Sequence, residues 1–99
     1  MEYEFSASGE IFEWRGPAPF TFLAVGERES AIIKRDSKHY TYGWGVLYMH
    51  GLLGDTEFST TLMPKDGRYL IPIKVALKKS EGVDIGDRIT VKFNLGKKD

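Results

Sequence analysis

Arg68-Tyr-Leu-Ile-Pro-Ile-Lys-Val-Ala-Leu-Lys-Lys-Ser-Glu-Gly-Val-Asp-Ile-Gly-Asp-Arg-Ile-Thr-Val-Lys-Phe-Asn-Leu95 carries the clearest structural pattern in the chain. It reads as a strand, a short helix, a glycine stop, a Gly-Asp turn and a second strand. Tyr69, Leu70 and Ile71 form a β-favouring triplet, and Pro72 ends it because proline cannot donate to a ladder. Proline is tolerated in a first helical turn, so a helix is predicted over residues 72–80. Ile73, Ala76 and Leu77 fall at i, i+3 and i+4 and make its apolar face, with Lys74, Lys78 and Lys79 off that face. Lys78 and Lys79 also complement the helix dipole near its C-terminus. Gly82 is the expected left-handed stop, and Gly86-Asp87 signals a turn. From Arg88 onward, Ile89, Val91, Phe93 and Leu95 alternate with polar residues, the pattern of a strand with one buried face.

Upstream, Phe58, Thr60 and Leu62 alternate in another strand. Pro64-Lys65-Asp66-Gly67 follows it as a predicted turn, proline early and glycine late. Gly54-Asp55 is a hairpin signal that joins this strand to the one over Val46–Leu53. Arg35 to Tyr42 is polar and mixed in charge, and is predicted as the longest loop, ahead of Gly43-Trp44-Gly45. Glu27, Arg28 and Glu29 before Ala31, Ile32 and Ile33 suit a short helix with an acidic start. Phe20–Val25 is apolar almost throughout, as a central strand would be. At the N-terminus Tyr3, Phe5 and Ala7 alternate with polar residues. The alternation slips past Gly9 to Phe12 and Trp14, which predicts a bulge or bend where the strand changes partner. A strand–helix–strand unit is therefore used twice, once over residues 20–53 and once over 69–95. Two pseudo-equivalent halves closing one barrel would leave few exposed edges.

The chain has 99 residues, which suits a single domain over 1–99. There is no cysteine, so disulfides and thiolate metal sites play no part. That absence permits a cytoplasmic location, which is the one expected. The start, Met-Glu-Tyr-Glu-Phe, has neither a basic region nor an apolar run, so no signal peptide is expected. Nothing approaches the roughly 20 apolar residues of a membrane-spanning helix. Fourteen Lys and Arg balance fourteen Asp and Glu, so net charge gives nucleic acid no support as a default partner.

Several stretches together resemble a bacterial family called domain of unknown function 1905. They are Phe12-Glu13-Trp14, Phe20-Thr21-Phe22-Leu23, Tyr42-Gly43-Trp44-Gly45, Phe58-Ser59-Thr60-Thr61-Leu62-Met63-Pro64, Gly67 through Lys74, Glu81-Gly82-Val83 and Gly86-Asp87. The resemblance implies a small double-split, pseudo-two-fold β-barrel of six to seven strands with two short helices. It also implies kinship of fold with the AbrB-type swapped-hairpin regulators. The family usually has proline before its first helix, where this chain has Gly26, so the start of that helix is open. Some members carry a second, C-terminal domain, whereas this sequence runs to Asp99. The family has no established activity, so the resemblance assigns no functional residues.

Three function classes are distinguishable. An enzyme is the least supported. His39 and His50 are the only histidines, neither has the carboxylate pattern of a metal site, and no phosphate loop or nucleophile motif is present. No cofactor is expected. A DNA-binding regulator of AbrB type rests on two basic clusters, Lys34, Arg35, Lys38 and Lys74, Lys78, Lys79. Asp36, Glu81 and Asp84 interrupt them, so solvated surface charge is the competing account and no specific nucleic-acid partner is expected. The favoured class is a non-catalytic binding module for a small ligand or protein partner, acting as a monomer. Its candidate residues are Trp14, Arg15, Trp44, Arg68, Tyr69 and Lys74, all near element ends where loops gather over a barrel mouth. The two tryptophans serve equally well as core plugs. Lys74, predicted in a first helical turn where a cation is disfavoured, either holds an anion or pairs with a surface carboxylate.

Overall fold

A computed structural model describes residues 3–15, 19–37, 41–42 and 46–96. In chain order these form β1 (Phe5–Glu10), β2 (Phe12–Arg15), β3 (Pro19–Ala24), α1 (Glu27–Asp36), β4 (Thr41–Tyr42), β5 (Val46–Leu53), β6 (Thr56–Lys65), β7 (Arg68–Pro72), α2 (Val75–Glu81) and β8 (Arg88–Leu95). The strands pair antiparallel in the order β1-β8-β5-β6-β7-β3-β2, with the two-residue β4 added on β5. The fold is mainly β, a curled, barrel-like sheet carrying two helices, as the alternating strands and turn signals predict.

The two ends of the strand order belong to one piece of chain. β1 pairs with β8 from Phe5↔Phe93 to Glu10↔Arg88. Ile11 prolongs that pairing: its N–H donates to the Asp87 carbonyl (2.9 Å) and its own carbonyl accepts from the Gly86 N–H (2.8 Å). β2 then pairs with β3, from Phe12↔Phe22 to Arg15↔Pro19. The strand changes partner as predicted, but the bend falls at Ile11 rather than Gly9, which still pairs in register with Ile89. Ile11 is buried. Two reciprocal bonds and a buried side chain hold the corner, so no flexible residue is needed there.

The interior of the curl is one apolar cluster. Leu23 of β3, Met49 of β5, Leu62 of β6, Ile71 of β7 and Val91 and Phe93 of β8 meet there, with Ile33 of α1 and Leu77 of α2 covering them. Each such side chain contributes about 1.5–3 kcal/mol by leaving water. Ile89, Val91, Phe93 and Leu95 are buried and alternate with more exposed neighbours, as predicted.

The internal echo is visible in the hydrogen bonds. β3 pairs with β7 about Leu23↔Ile71, and β5 pairs with β8 about Gly51↔Phe93. The Val25 N–H donates to the Tyr69 carbonyl and the Ile73 N–H donates to the Thr21 carbonyl, both at 2.9 Å. The same exchange that carries Leu23 onto Ile71 carries one bond onto the other. It also carries Gly26 onto Lys74, the N-caps of α1 and α2. Their backbones match, at φ −59, ψ 159 and φ −75, ψ 160. Each strand-to-helix corner is built twice from the same backbone geometry.

Four boundaries differ from expectation. α2 begins at Val75, with Lys74 as its N-cap. Pro72 instead completes β7, paired with Phe22. Of the predicted apolar face Ile73 and Leu77 are buried, Ile73 from the connecting segment, while Ala76 is exposed. The second difference is Pro64, which lies within β6 opposite Tyr69. It sits past Leu47↔Leu62, the last β5–β6 pair, where a missing N–H costs no ladder bond on that side. The turn is then Asp66-Gly67 alone, both at positive φ (51 and 79), the two-residue hairpin form that favours Asp-Gly. Third, α1 runs to Asp36, so the polar segment contributes a helical turn at one end. At the other end it contributes β4. Trp44 and its flanking glycines, with Lys38 and His39, lie outside the described residues.

The C-terminal end of α2 is fastened to the β5–β6 hairpin. The Glu81 carboxylate accepts from the Thr56 hydroxyl and the Asp55 N–H, and Ser80 and Thr56 hydroxyls meet at 2.9 Å. Gly54 makes room for this: at φ 57, a Cβ there would lie 1.8 Å from Glu81 Oε1. Gly82 then ends the helix in the left-handed conformation, as expected.

Candidate functional site

β6 and β7 pair only from Met63↔Leu70 to Lys65↔Arg68. Beyond that β6 follows β5, and β7 follows β3. The sheet is split between Thr60-Thr61 on one side and Pro72-Ile73 on the other, and α2 descends beside the split. Two clefts open there, of about 320 and 810 Å³. They share Thr60, Pro72 and Lys74.

The larger cleft takes its walls from β2, β3, β6, β7 and α2 and from the turn after α2. Phe20 and Phe22 of β3 and Trp14 of β2 stand on the face opposite Leu23. Phe22 is buried, with its ring centroid 6.3 Å from those of both Trp14 and Phe20 and 6.1 Å from Phe12. Met63 comes from β6 and Val75 from the start of α2. Ile85 is carried by the turn after α2. The Asp84 carboxylate receives the Ile85 N–H and the Asp87 carboxylate receives the Asp84 N–H, each at 2.8 Å, which shapes that turn. Among the described residues five large apolar side chains are exposed: Trp14, Phe20 (59%), Met63, Val75 (60%) and Ile85. All five line this one cleft.

Comparison of the two pseudo-equivalent corners explains why the cleft lies on the α2 side. At the α1 corner the Val25 carbonyl accepts from Arg68 Nε (3.0 Å) and from the Ser30 hydroxyl (3.3 Å). The Ser30 oxygen in turn accepts the Tyr69 N–H (3.2 Å), and the Tyr69 ring packs on the core. At the α2 corner Thr21 stands in the place of Tyr69, Lys78 in that of Ser30, and Lys74 in that of Gly26. The Ile73 carbonyl accepts from the Thr21 hydroxyl at 2.6 Å. A threonine leaves open the volume that a tyrosine fills, and a lysine head cannot be buried as serine is.

The polar groups of the cleft are few. Lys78 Nζ lies 3.6 Å from Asp84. Glu13 is paired with Arg15, Nε to Oε1 at 3.0 Å. Lys65 Nζ sits 4.1 Å above the Trp14 ring, a cation–π contact that stiffens the rim. Lys74 has no carboxylate partner among the described residues, contrary to a surface ion pair. Thr60 is only 8% exposed, and its hydroxyl has no hydrogen-bond partner among the described residues. No three His, Asp or Glu side chains of the described residues gather as a metal site would require. His50 is half-buried in β5, with Nδ1 3.0 Å from the Gly96 carbonyl.

The residues singled out from the sequence are thus divided. Trp14 and Lys74 line the cleft, and Arg15 reaches its edge only through Glu13. Arg68 and Tyr69 belong to the closed α1 corner. Phe20, Met63, Val75 and Ile85 were not singled out. In the sequence Phe20 belongs to an apolar central strand, and its place across from Trp14 in a hairpin is the signal that points to the cleft.

No helix of the described residues is long and apolar enough to cross a membrane. No match was found among curated proteins or among solved structures. The family model described as Domain of unknown function (DUF1905) matches residues 7–93. That span runs from β1 to β8 and holds both corners and the whole cleft lining, and the chain belongs to this family.

Proposed function

We propose that the protein is a non-catalytic binding module whose site is the cleft at the β6–β7 split. The observation that carries this reading is the gathering of all five exposed large apolar side chains of the described residues on one concavity. Exposed apolar side chains scattered singly need no explanation, whereas a contiguous set around a concavity marks a binding surface. The volume of about 810 Å³ lies within the range of small-molecule sites, roughly 300–1,000 Å³. Apolar walls with a few polar groups match the usual make-up of such sites. The lining residues described are mostly apolar, which supports binding.

A neutral fluorophore that brightens in apolar surroundings, N-phenyl-1-naphthylamine, tests it. Saturable binding to the wild type is expected, with loss in Val75→Trp. Val75 is 60% exposed, so the larger side chain fills the cleft without entering the core. Absence of saturation, or equal binding to the variant, would place the site elsewhere.

A further inference from the structure

The chemical class of the ligand can be read from the junction of the two clefts, and this inference rests on the binding-module reading. Thr60, Pro72 and Lys74 border both clefts, so a group held there has apolar walls on either side. Two donors at that junction are uncommitted. The first is the Lys74 ammonium. Its counterpart at the other corner is Gly26, with nearly the same backbone angles. The corner therefore needs only backbone at this position, and the fold does not account for the lysine side chain. The second is the Thr60 hydroxyl. Ser30, the other buried polar side chain among the described residues, has its hydroxyl fully engaged, whereas that of Thr60 has no partner among the described residues. No fully buried side-chain oxygen or nitrogen among the described residues lacks a partner, so the Thr60 hydroxyl keeps contact with solvent at the clefts and is free to donate there.

The charges around the cleft point the same way. Lys74 and Lys78 line it and Lys65 flanks it through Trp14, against one lining carboxylate, Glu13, which Arg15 already neutralises. Lys78 is held by Asp84. Within the larger cleft the remaining uncompensated charge is positive and sits on Lys74, while Glu57 lines the smaller cleft on the other side of the junction. A cation beside a hydroxyl donor suits an oxyanion, which accepts from both.

We propose that the cleft takes a small aromatic or alkyl acid, its anionic group held by Lys74 and the Thr60 hydroxyl, its apolar body lying against Trp14, Phe20 and Met63. A neutral molecule would leave the ammonium unpaired, and a cationic one would be repelled by it.

Three probes of one shape test this: 2-naphthylacetate, 2-naphthaleneethanol and 2-(2-naphthyl)ethylammonium, titrated by calorimetry at low salt. The acid is expected to bind about tenfold tighter than the alcohol, the size of one charge-assisted contact, and the ammonium weakest. In Lys74→Gln the acid should fall to the level of the alcohol while alcohol binding stays unchanged. The preference should also shrink as salt rises, because the lysine head is exposed. Equal binding of acid and alcohol to the wild type, or an acid preference that survives Lys74→Gln, would overturn the acid class and leave the binding-module reading standing. Failure of all three probes, or full binding of all three to Val75→Trp, would overturn both.

Discussion

Ser30 and Thr60 are the two buried polar side chains among the described residues, and they stand in opposite situations. The Ser30 hydroxyl donates to the Val25 carbonyl and accepts the Tyr69 N–H. Removing it strands a backbone donor at the α1 corner, so Ser30→Ala should cost about 1–3 kcal/mol in denaturant unfolding. The Thr60 hydroxyl has no such bond to lose. Thr60→Val, which keeps the shape of the side chain, should leave stability unchanged or raise it slightly. It should also weaken binding of 2-naphthylacetate. A residue whose polar group serves the proposed site and does nothing for the fold is the expected mark of a functional position. A large loss of stability in Thr60→Val would instead make the hydroxyl structural. None of this was legible in the sequence. Thr60 reads there as one position of an alternating strand, and its burial beside an open split depends on β6 and β7 parting company.

At the scale of elements, most of the fold was legible. The alternation over residues 88–95 gives the buried face of β8 correctly, and Gly54-Asp55 gives the β5–β6 hairpin. The helix start was misplaced for an identifiable reason. Proline is compatible both with a strand end and with a first helical turn, and Pro72 pairs with Phe22 in preference to opening α2. Pro64 misled in the same way, because a proline early in a turn and a proline past the end of a ladder look alike in sequence. Position near an element end is a coarse guide to the proposed site, since a pseudo-symmetric barrel has two equivalent sets of ends. It drew Arg68 and Tyr69, of the filled corner, together with Trp14 and Lys74, of the open one. The echo itself held the missing discrimination: it sets Thr21 against Tyr69, a small residue against a large one. Tyr69→Ala should accordingly cost stability, by about 2–3 kcal/mol for loss of a partly buried ring. It should leave ligand affinity unaltered, a split between unfolding and binding measurements that a site residue would not show.

The whole molecule has as many basic as acidic side chains, and both corners come from one chain. A monomer is the expected state, and light scattering at micromolar concentration should then report about 11.2 kDa. Duplex DNA should bind weakly and without sequence preference, and lose what affinity it has by about 150 mM salt, as non-specific phosphate contacts do. Sequence-specific binding at that salt, or a tight dimer, would favour a regulator over a ligand-binding module. The most direct test is a map of the bound surface. In an amide NMR titration with 2-naphthylacetate, shifts should concentrate on Glu13, Trp14, Phe20 to Phe22, Thr60 to Met63, Pro72-flanking residues through Lys78, and Ile85. The α1 corner, from Val25 to Ser30 with Arg68 and Tyr69, should stay still. Shifts centred on that second corner, or no shifts at saturating probe, would contradict the assignment of the split cleft as the site.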